Sequence, residues 1–351
     1  MKKTKFDSYC LRNFDVAEGC KSCVQGKKLV LFVSGKCFRN CKYCSLSNKR
    51  KNVDKTWANE RECRNVNEVI EEAKESHACG AGITGGDPLL CLDRTLKFVV
   101  ALKKEFGGGF HIHIYLPTEF VTEEGLKKLK KAGIDEVRFH PRFLEKNIEL
   151  ELERISLASK FWKIKNIGIE IPMFPDKIRE TFYFIKSVSE MISFVNLNEL
   201  EISETNFGFI KSRYKLNEDS YTIQNSTESG LEILKRCEKE KLGLKIHLCT
   251  AKTKNLFQYK NRIKLRDTLP FGYRTNEGAV RYFIIDLKDI SVKNKARLLR
   301  EFRGNICLDN KKKRLIISEK SVKKALFLGH KVERVEELPT FDGIELERGI
   351  I

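Results

Sequence analysis

Three cysteines, Cys37, Cys41 and Cys44, stand in the spacing C-x3-C-x2-C within Gly35-Lys36-Cys37-Phe38-Arg39-Asn40-Cys41-Lys42-Tyr43-Cys44. Gaps this short let three thiolates arch over one face of a [4Fe–4S] cube, each sulfur reaching its own iron. The fourth iron is then left without a cysteine. An open iron can take an outside ligand, whereas an electron-transfer cluster is ordinarily closed by a fourth Cys. The triplet alone also admits a zinc site or unrelated buried thiols.

A second set of thiols lies upstream, in Gly19-Cys20-Lys21-Ser22-Cys23, with Cys10 before it. A C-x2-C pair is half of many zinc or iron–sulfur sites and needs further ligands from elsewhere. Lys245-Ile246-His247-Leu248-Cys249 alternates like a strand and puts His247 and Cys249 on one face. A second metal site of Cys20, Cys23 and Cys249, completed by Cys10 or His247, is one expectation. Separate buried thiols are the other.

These residues need elements to position them. The apolar run Leu29-Val30-Leu31-Phe32-Val33 before the triplet predicts a buried strand. Strand and helix then alternate: helix over 66–79, strand 80–84, helix 94–105, strand 110–115, helix 122–131, strand 136–139, helix 144–160, strand 167–171, helix 177–191, strand 194–202, helix 228–240, and the strand carrying His247 and Cys249. Such a series implies an α/β fold with a parallel sheet and helices outside. Chemistry in sheets of this kind collects at the C-terminal strand ends. There the sequence offers His113, Arg138, His140, Glu170, Asn198 and Glu204, with Tyr115 and Phe139 expected to pack. An inward set of His113, Arg138, Glu170, Asn198 and Glu204 would be costly to bury without a polar partner.

The Cys37/Cys41/Cys44 spacing, with an aromatic residue before its last Cys and at the end of a first strand, resembles the signature of the radical S-adenosylmethionine (SAM) enzymes. About forty residues on, Ile83-Thr84-Gly85-Gly86-Asp87-Pro88 is similar to that family's Gly-Gly-Glu-Pro motif, with Asp87 in place of Glu. The resemblance covers roughly residues 28 to 250. It implies a partial (β/α)6 barrel, a [4Fe–4S] cluster on Cys37, Cys41 and Cys44, and SAM chelated to the open iron. Reductive cleavage of SAM to a 5′-deoxyadenosyl radical would follow, with an electron donor of ferredoxin or flavodoxin type. Tyr43 matches the shielding aromatic, and Gly85, Gly86, Asp87 and Pro88 match the edge that meets SAM's amino group. His113, Arg138, Glu170, Asn198 and Glu204 are candidates for the ribose and methionine parts. Phe139-His140-Pro141 and Asn196-Leu197-Asn198-Glu199-Leu200-Glu201 further resemble an archaeal group related to pyruvate formate-lyase activating enzymes.

Three segments are expected: 1–27, a short Cys-containing extension; 28–250, the barrel; and 251–351, a small basic α+β module. The chain of 351 residues carries 67 Lys+Arg against 48 Asp+Glu, a net charge of +19. Residues 252–351 hold 24 and 13 of these, or +11. A field of that sign favours a polyanionic partner, and Lys252 to Arg266 and Lys311-Lys312-Lys313-Arg314 suit phosphate contacts. A Lys-rich thermophile composition is the competing explanation. No eighteen-residue apolar window and no apolar stretch behind Met-Lys-Lys-Thr-Lys is present, which points to the cytoplasm and away from a membrane. The first functional expectation is hydrogen abstraction in tRNA nucleoside modification. The alternatives are radical activation or modification of a protein, in the manner of a glycyl-radical activase, and a non-catalytic iron–sulfur RNA-binding protein.

Overall fold

The computed structural model describes the backbone of residues 2–3 and 9–10, and residues 16–351 other than 146, 219 and 289. Contacts divide the chain into two units: residues 1–74 with 78–259, and residues 75–77 with 260–351.

The first unit is built on seven parallel strands in chain order: β1 (Lys28–Phe32), β2 (Gly80–Thr84), β3 (His111–Pro117), β4 (Glu136–His140), β5 (Ile167–Met173), β6 (Phe194–Glu199) and β7 (Lys245–Cys249). The sheet stays open. A hairpin of Thr56–Ala58 and Arg61–Cys63 pairs antiparallel along β1, and Tyr9–Cys10 pairs antiparallel along β7 with Cys10 opposite His247. The Cys10 side chain lies outside the described residues.

Period-two patterning assigns the two faces. Outward residues such as Leu31, Ile83, Ile112, Ile114, Val137, Ile169, Leu197 and Ile246 form one apolar core beneath the helices. Their alternates face the lumen and include many polar residues: His111, His113 and Tyr115 on β3, Glu136, Arg138 and His140 on β4, Glu170 on β5, Asn196 and Asn198 on β6, His247 and Cys249 on β7. The helices obey ordinary end rules. The helix Glu123–Ala132 starts on Thr122, whose side chain accepts from Gly125 N, and stops at Gly133 in the left-handed region.

A short helix α1 (Glu18–Val24) closes the lumen at the strands' N-terminal end. Gly19 N donates to Glu136 Oε2 at 3.2 Å, and a Cβ on Gly19 would lie 2.5 Å from both Arg138 Nη2 and His113 Nδ1. Only glycine allows that approach. The expected extension is therefore part of the barrel's packing, with Cys20 buried against Phe194 and Ala17.

After β7 the chain runs through Ala251–Thr253 into a π-helical turn, Lys254–Tyr259, which stays with the first unit. The second unit is a six-stranded antiparallel sheet in the order Ile306–Asp309, Arg314–Ile317, Val280–Asp286, Glu333–Glu337, Glu345–Ile350, with Tyr273–Arg274 beside Val280–Asp286. Helices Val292–Glu301 and Glu319–Phe327 cover one face through Leu298, Ala325, Leu315 and Ile317. Among the described residues no helix is long and apolar enough to cross a membrane.

The basic stretches expected to meet phosphate are largely engaged within their own units. Lys254 is buried on Glu201 at 2.6 Å, Lys260 pairs with Glu277 at 2.6 Å, and Arg314 is buried between Asp309 and Glu337, each at 2.8 Å. Lys312 also holds Glu337, and Lys311 lies over the Phe341 ring.

Candidate active site

The loop after β1 carries Cys37, Cys41 and Cys44, all free thiols of intermediate exposure. It is shaped by backbone bonds: Gly35 N to Val53 O at 2.8 Å, Asn52 N to Gly35 O at 3.0 Å and Cys44 N to Cys41 O at 3.1 Å. The end of β2 clasps its base. Gly86 N donates to Ser34 O and Asp87 N to Lys36 O, both at 2.8 Å. A Cβ on Gly86 would sit 2.3 Å from Lys36 O, and one on Gly85, at φ +152°, 2.5 Å from Ser34 O. The glycines are thus required by the loop's own backbone as well as by any ligand above them.

A second clasp comes from the chain beyond β6. Thr205 Oγ1 lies 2.9 Å from Cys44 O and 2.7 Å from Leu46 O, Asn206 Nδ2 donates to Tyr43 O at 3.1 Å, and Glu204 accepts from Asn48 N at 2.8 Å. Arg39, buried inside the loop, pairs with Glu119 and donates to Thr118 Oγ1 at 2.9 Å and to His140 O. The loop is therefore tied to β2, to β6's exit, and to the ends of β3 and β4.

Below it opens a cavity of ≈ 570 Å³ that reaches from the three cysteines down to α1. Tyr43, Gly85, Gly86, Pro88, His113, Arg138, Glu170 and Asn198 line it, as do Cys20, Cys23, His247 and Cys249. Two of the sequence candidates do not. The Asp87 carboxylate turns away to accept from Leu89 N at 2.9 Å, capping the turn Pro88–Cys91, and burial pushes its pKa up to about 6. Glu204 is spent on the loop clasp. The two carboxylates are thus placed on backbone N–H groups, Asp87 on the turn that follows it and Glu204 on the cluster loop.

Arg138 also has a different setting from the one expected. It is buried, with Nε on Glu136 Oε1 at 2.7 Å, Nη1 on Glu170 Oε2 at 3.0 Å and on Tyr115 OH at 3.2 Å, and Nη2 on Cys20 Sγ at 3.4 Å. Its fork is saturated, so it acts as a strut across the lumen. Burial raises the cost of the Glu170 charge, yet Arg138, with Asn198 and Asn196 at 2.9 Å each, outweighs it and holds the carboxylate below its ordinary range. Tyr115, expected to pack, instead faces the lumen.

Near the loop, His140 accepts or donates to Tyr43 OH through Nε2 at 3.0 Å, and its Nδ1 lies 2.9 Å from the Glu170 carbonyl. Burial and the nearby Arg39 lower its pKa to about 4, so at neutral pH it is uncharged, with the proton on Nδ1 and Tyr43 donating to Nε2. Tyr43 packs edge-on to Phe174 at 5.1 Å. Arg39, Asn196, Lys254 and Gln258 also line the cavity. Lys254 and Gln258 belong to the π-helical turn, a feature that periodicity cannot announce.

Three half-exposed thiols at the mouth of a roomy cavity fit a cluster better than a single ion. No three His, Cys, Asp or Glu side chains among the described residues converge on one metal position. A cubane asks for less convergence, because each thiolate takes a different iron. The model of the radical SAM superfamily matches residues 31–176, the span from β1 through β5 that contains the loop and both glycines. A protein of Methanocaldococcus jannaschii, provisionally named a glycyl-radical enzyme activating enzyme, is 38% identical over 99% of this chain and 96% of its own length. This chain belongs to the radical SAM superfamily. Among solved structures, Escherichia coli coproporphyrinogen III oxidase aligns at a TM-score of 0.40 and 11% identity over 65% of this chain and 57% of that one. HydG, a maturase of the [FeFe]-hydrogenase, aligns at 0.40 and 16% over 66% and 58%. The chain thus spans under two thirds of each. As a radical SAM enzyme it uses a [4Fe–4S] cluster and SAM, and the binding-only reading falls away.

Proposed function

We propose that this radical SAM enzyme acts on a protein, abstracting hydrogen to activate or modify it in the manner of a glycyl-radical activase. The observation that carries this is the 38% identity to the activating-enzyme relative across nearly the whole of both chains. It displaces tRNA nucleoside modification as the first reading. The internal engagement of Lys254, Lys260, Lys312 and Arg314 supports the same choice, since cations already paired contribute little to counterion release.

Cys37, Cys41 and Cys44 would hold three irons of the cluster. When bound, the cluster and SAM together supply an electron and a carbon-centred radical able to take hydrogen from an unactivated C–H bond. The chain's own residues do the positioning. The Gly85–Gly86 edge presents backbone to SAM without a side chain in the way. Glu170, kept ionised and oriented by Arg138, Asn196 and Asn198, offers a carboxylate wall, and neutral His140 with Tyr43 closes the side next to Cys44. A paired, rigid wall matters because a carbon radical takes hydrogen from whatever C–H or S–H bond reaches it first.

The test uses anaerobically prepared protein with SAM and a low-potential reductant. It should form 5′-deoxyadenosine, and a candidate glycyl-radical protein from the same genome should acquire a carbon-radical resonance. Modified nucleosides in tRNA, with every protein candidate silent, would return the tRNA reading.

A further inference from the structure

The lumen holds a second group of thiols that the cluster loop does not use. Cys20 and Cys23 stand three apart on α1, so they share one helix face, their Cβ atoms about 5–6 Å apart. Cys249 comes from β7, on the opposite side of the chain in sequence. All three line the same cavity. Their relative heights follow from register. Cys20 touches Asn196, Asn196 is level with His247, and Cys249 is two residues further along the same face, one layer up, or roughly 6–7 Å.

That spread decides the chemistry. Thiolates on one zinc ion each lie about 2.3 Å from it and so within about 4.6 Å of one another. Donors spaced as Cys20, Cys23 and Cys249 are suit a cluster, where each sulfur takes its own iron. Donors for such sulfurs are already in place. Arg138 Nη2 and Asn196 Nδ2 each approach Cys20 Sγ at 3.4 Å, and Gln258 Nε2 points at Cys249 Sγ at 3.5 Å. In the same lumen the buried His247 Nδ1, level with Asn196, has no hydrogen-bond partner among the described residues.

The geometry points to a second iron–sulfur cluster in the barrel floor, held by the thiolates of Cys20, Cys23 and Cys249, with His247 beside its fourth iron. α1 is then a ligand-bearing plug, and the extension before β1 is part of the active chamber.

Iron and acid-labile sulfide per chain, measured on the full chain reconstituted anaerobically, test this. With Cys37, Cys41 and Cys44 all replaced by Ala, the protein should still hold a sulfide-containing centre, and adding Cys20→Ala with Cys23→Ala should abolish it. In the otherwise intact chain, Cys20→Ala/Cys23→Ala and Cys249→Ala should each lose roughly half the iron if both clusters are of one size, while Cys237→Ala, in the outer core, should lose none. Far-ultraviolet dichroism checks that each variant is folded, and Cys249→Ala keeps the inference testable if α1 does not tolerate substitution. It is overturned by no iron in the triple variant, or by iron there that survives loss of Cys20, Cys23 and Cys249. Loss of two titratable thiols as a Cys20–Cys23 disulfide under the same conditions also overturns it. Failure here leaves SAM cleavage by the first cluster intact, so the two proposals fail separately.

Discussion

Replacing Arg138 by Met distinguishes a lumen strut from a SAM ligand. The side chain is 3% exposed and its partners Glu136 and Glu170 are 2% and 17% exposed, so the change strands two carboxylates in a poorly solvated wall. Removing one partner of a buried ion pair costs about 3–5 kcal/mol, far more than the pair contributes against an apolar replacement. Met fills much of the vacated volume, so little of that loss is a cavity effect. R138M should therefore lower urea-unfolding stability of the barrel by about 3–5 kcal/mol, and adding E136Q should restore part of it by removing one stranded charge. Chemical unfolding followed by tryptophan fluorescence reads the barrel, because Trp57 and Trp162 both lie in it. A stability change below about 1 kcal/mol, together with weakened SAM binding, would refute the strut and return Arg138 to the ligand list.

Other consequences are as specific. Gly86→Ala drives a methyl against Lys36 O and Gly35 O, backbone that has nowhere to go, and should cost about 1–3 kcal/mol and most of the iron on the loop; normal iron content would contradict the clasp. Asp87→Asn keeps the cap acceptor and removes a buried charge. Because the folded pKa is raised to about 6 above an ordinary 3.8, the wild type is penalised above pH 6 and relieved as pH falls towards 3.8, so the variant should be the more stable at pH 8 and lose that lead by pH 4. His111 and His140 have the opposite sign. Their folded pKa of about 4 lies below 6.5, so their contribution is whole above pH 6.5 and is lost as pH falls to about 4, on the order of 3 kcal/mol each; a flat unfolding midpoint between pH 7 and pH 4.5 would deny that both stay neutral.

Much of this fold was legible because its signals are local. The period-two runs from Leu29 to Cys249 and the 3.6-period helices between them are written in neighbouring residues, and Thr122 and Gly133 mark helix ends as their types require. The cysteine spacing and Gly85–Gly86 were legible for the same reason. What the sequence hid is long-range. Glu136 is a neighbour on the same strand face, but nothing near Arg138 tells that Glu170, Tyr115 and Cys20 converge on it too, so it read as a candidate for SAM's ribose and methionine parts. Nothing near Glu204 tells that its carboxylate meets Asn48. Asp87 looked like a ligand because its motif suggested one, yet the turn that starts at Pro88, the next residue, needed a cap. The basic stretch from Lys252 to Arg266 looked like a helix facing a polyanion, whereas Lys254, in the π-helical turn Lys254–Tyr259, turns inward to Glu201.

The central claim is that the loop of Cys37, Cys41 and Cys44 leaves one iron of its cluster open to SAM. The most direct measurement is the electron paramagnetic resonance of the reduced protein, in the Cys20→Ala/Cys23→Ala background, before and after adding SAM carrying a magnetic label in its methionine amine or carboxylate. Coupling of the label to the cluster is the predicted result. A cluster whose resonance ignores SAM, with no coupling to the label, would contradict it.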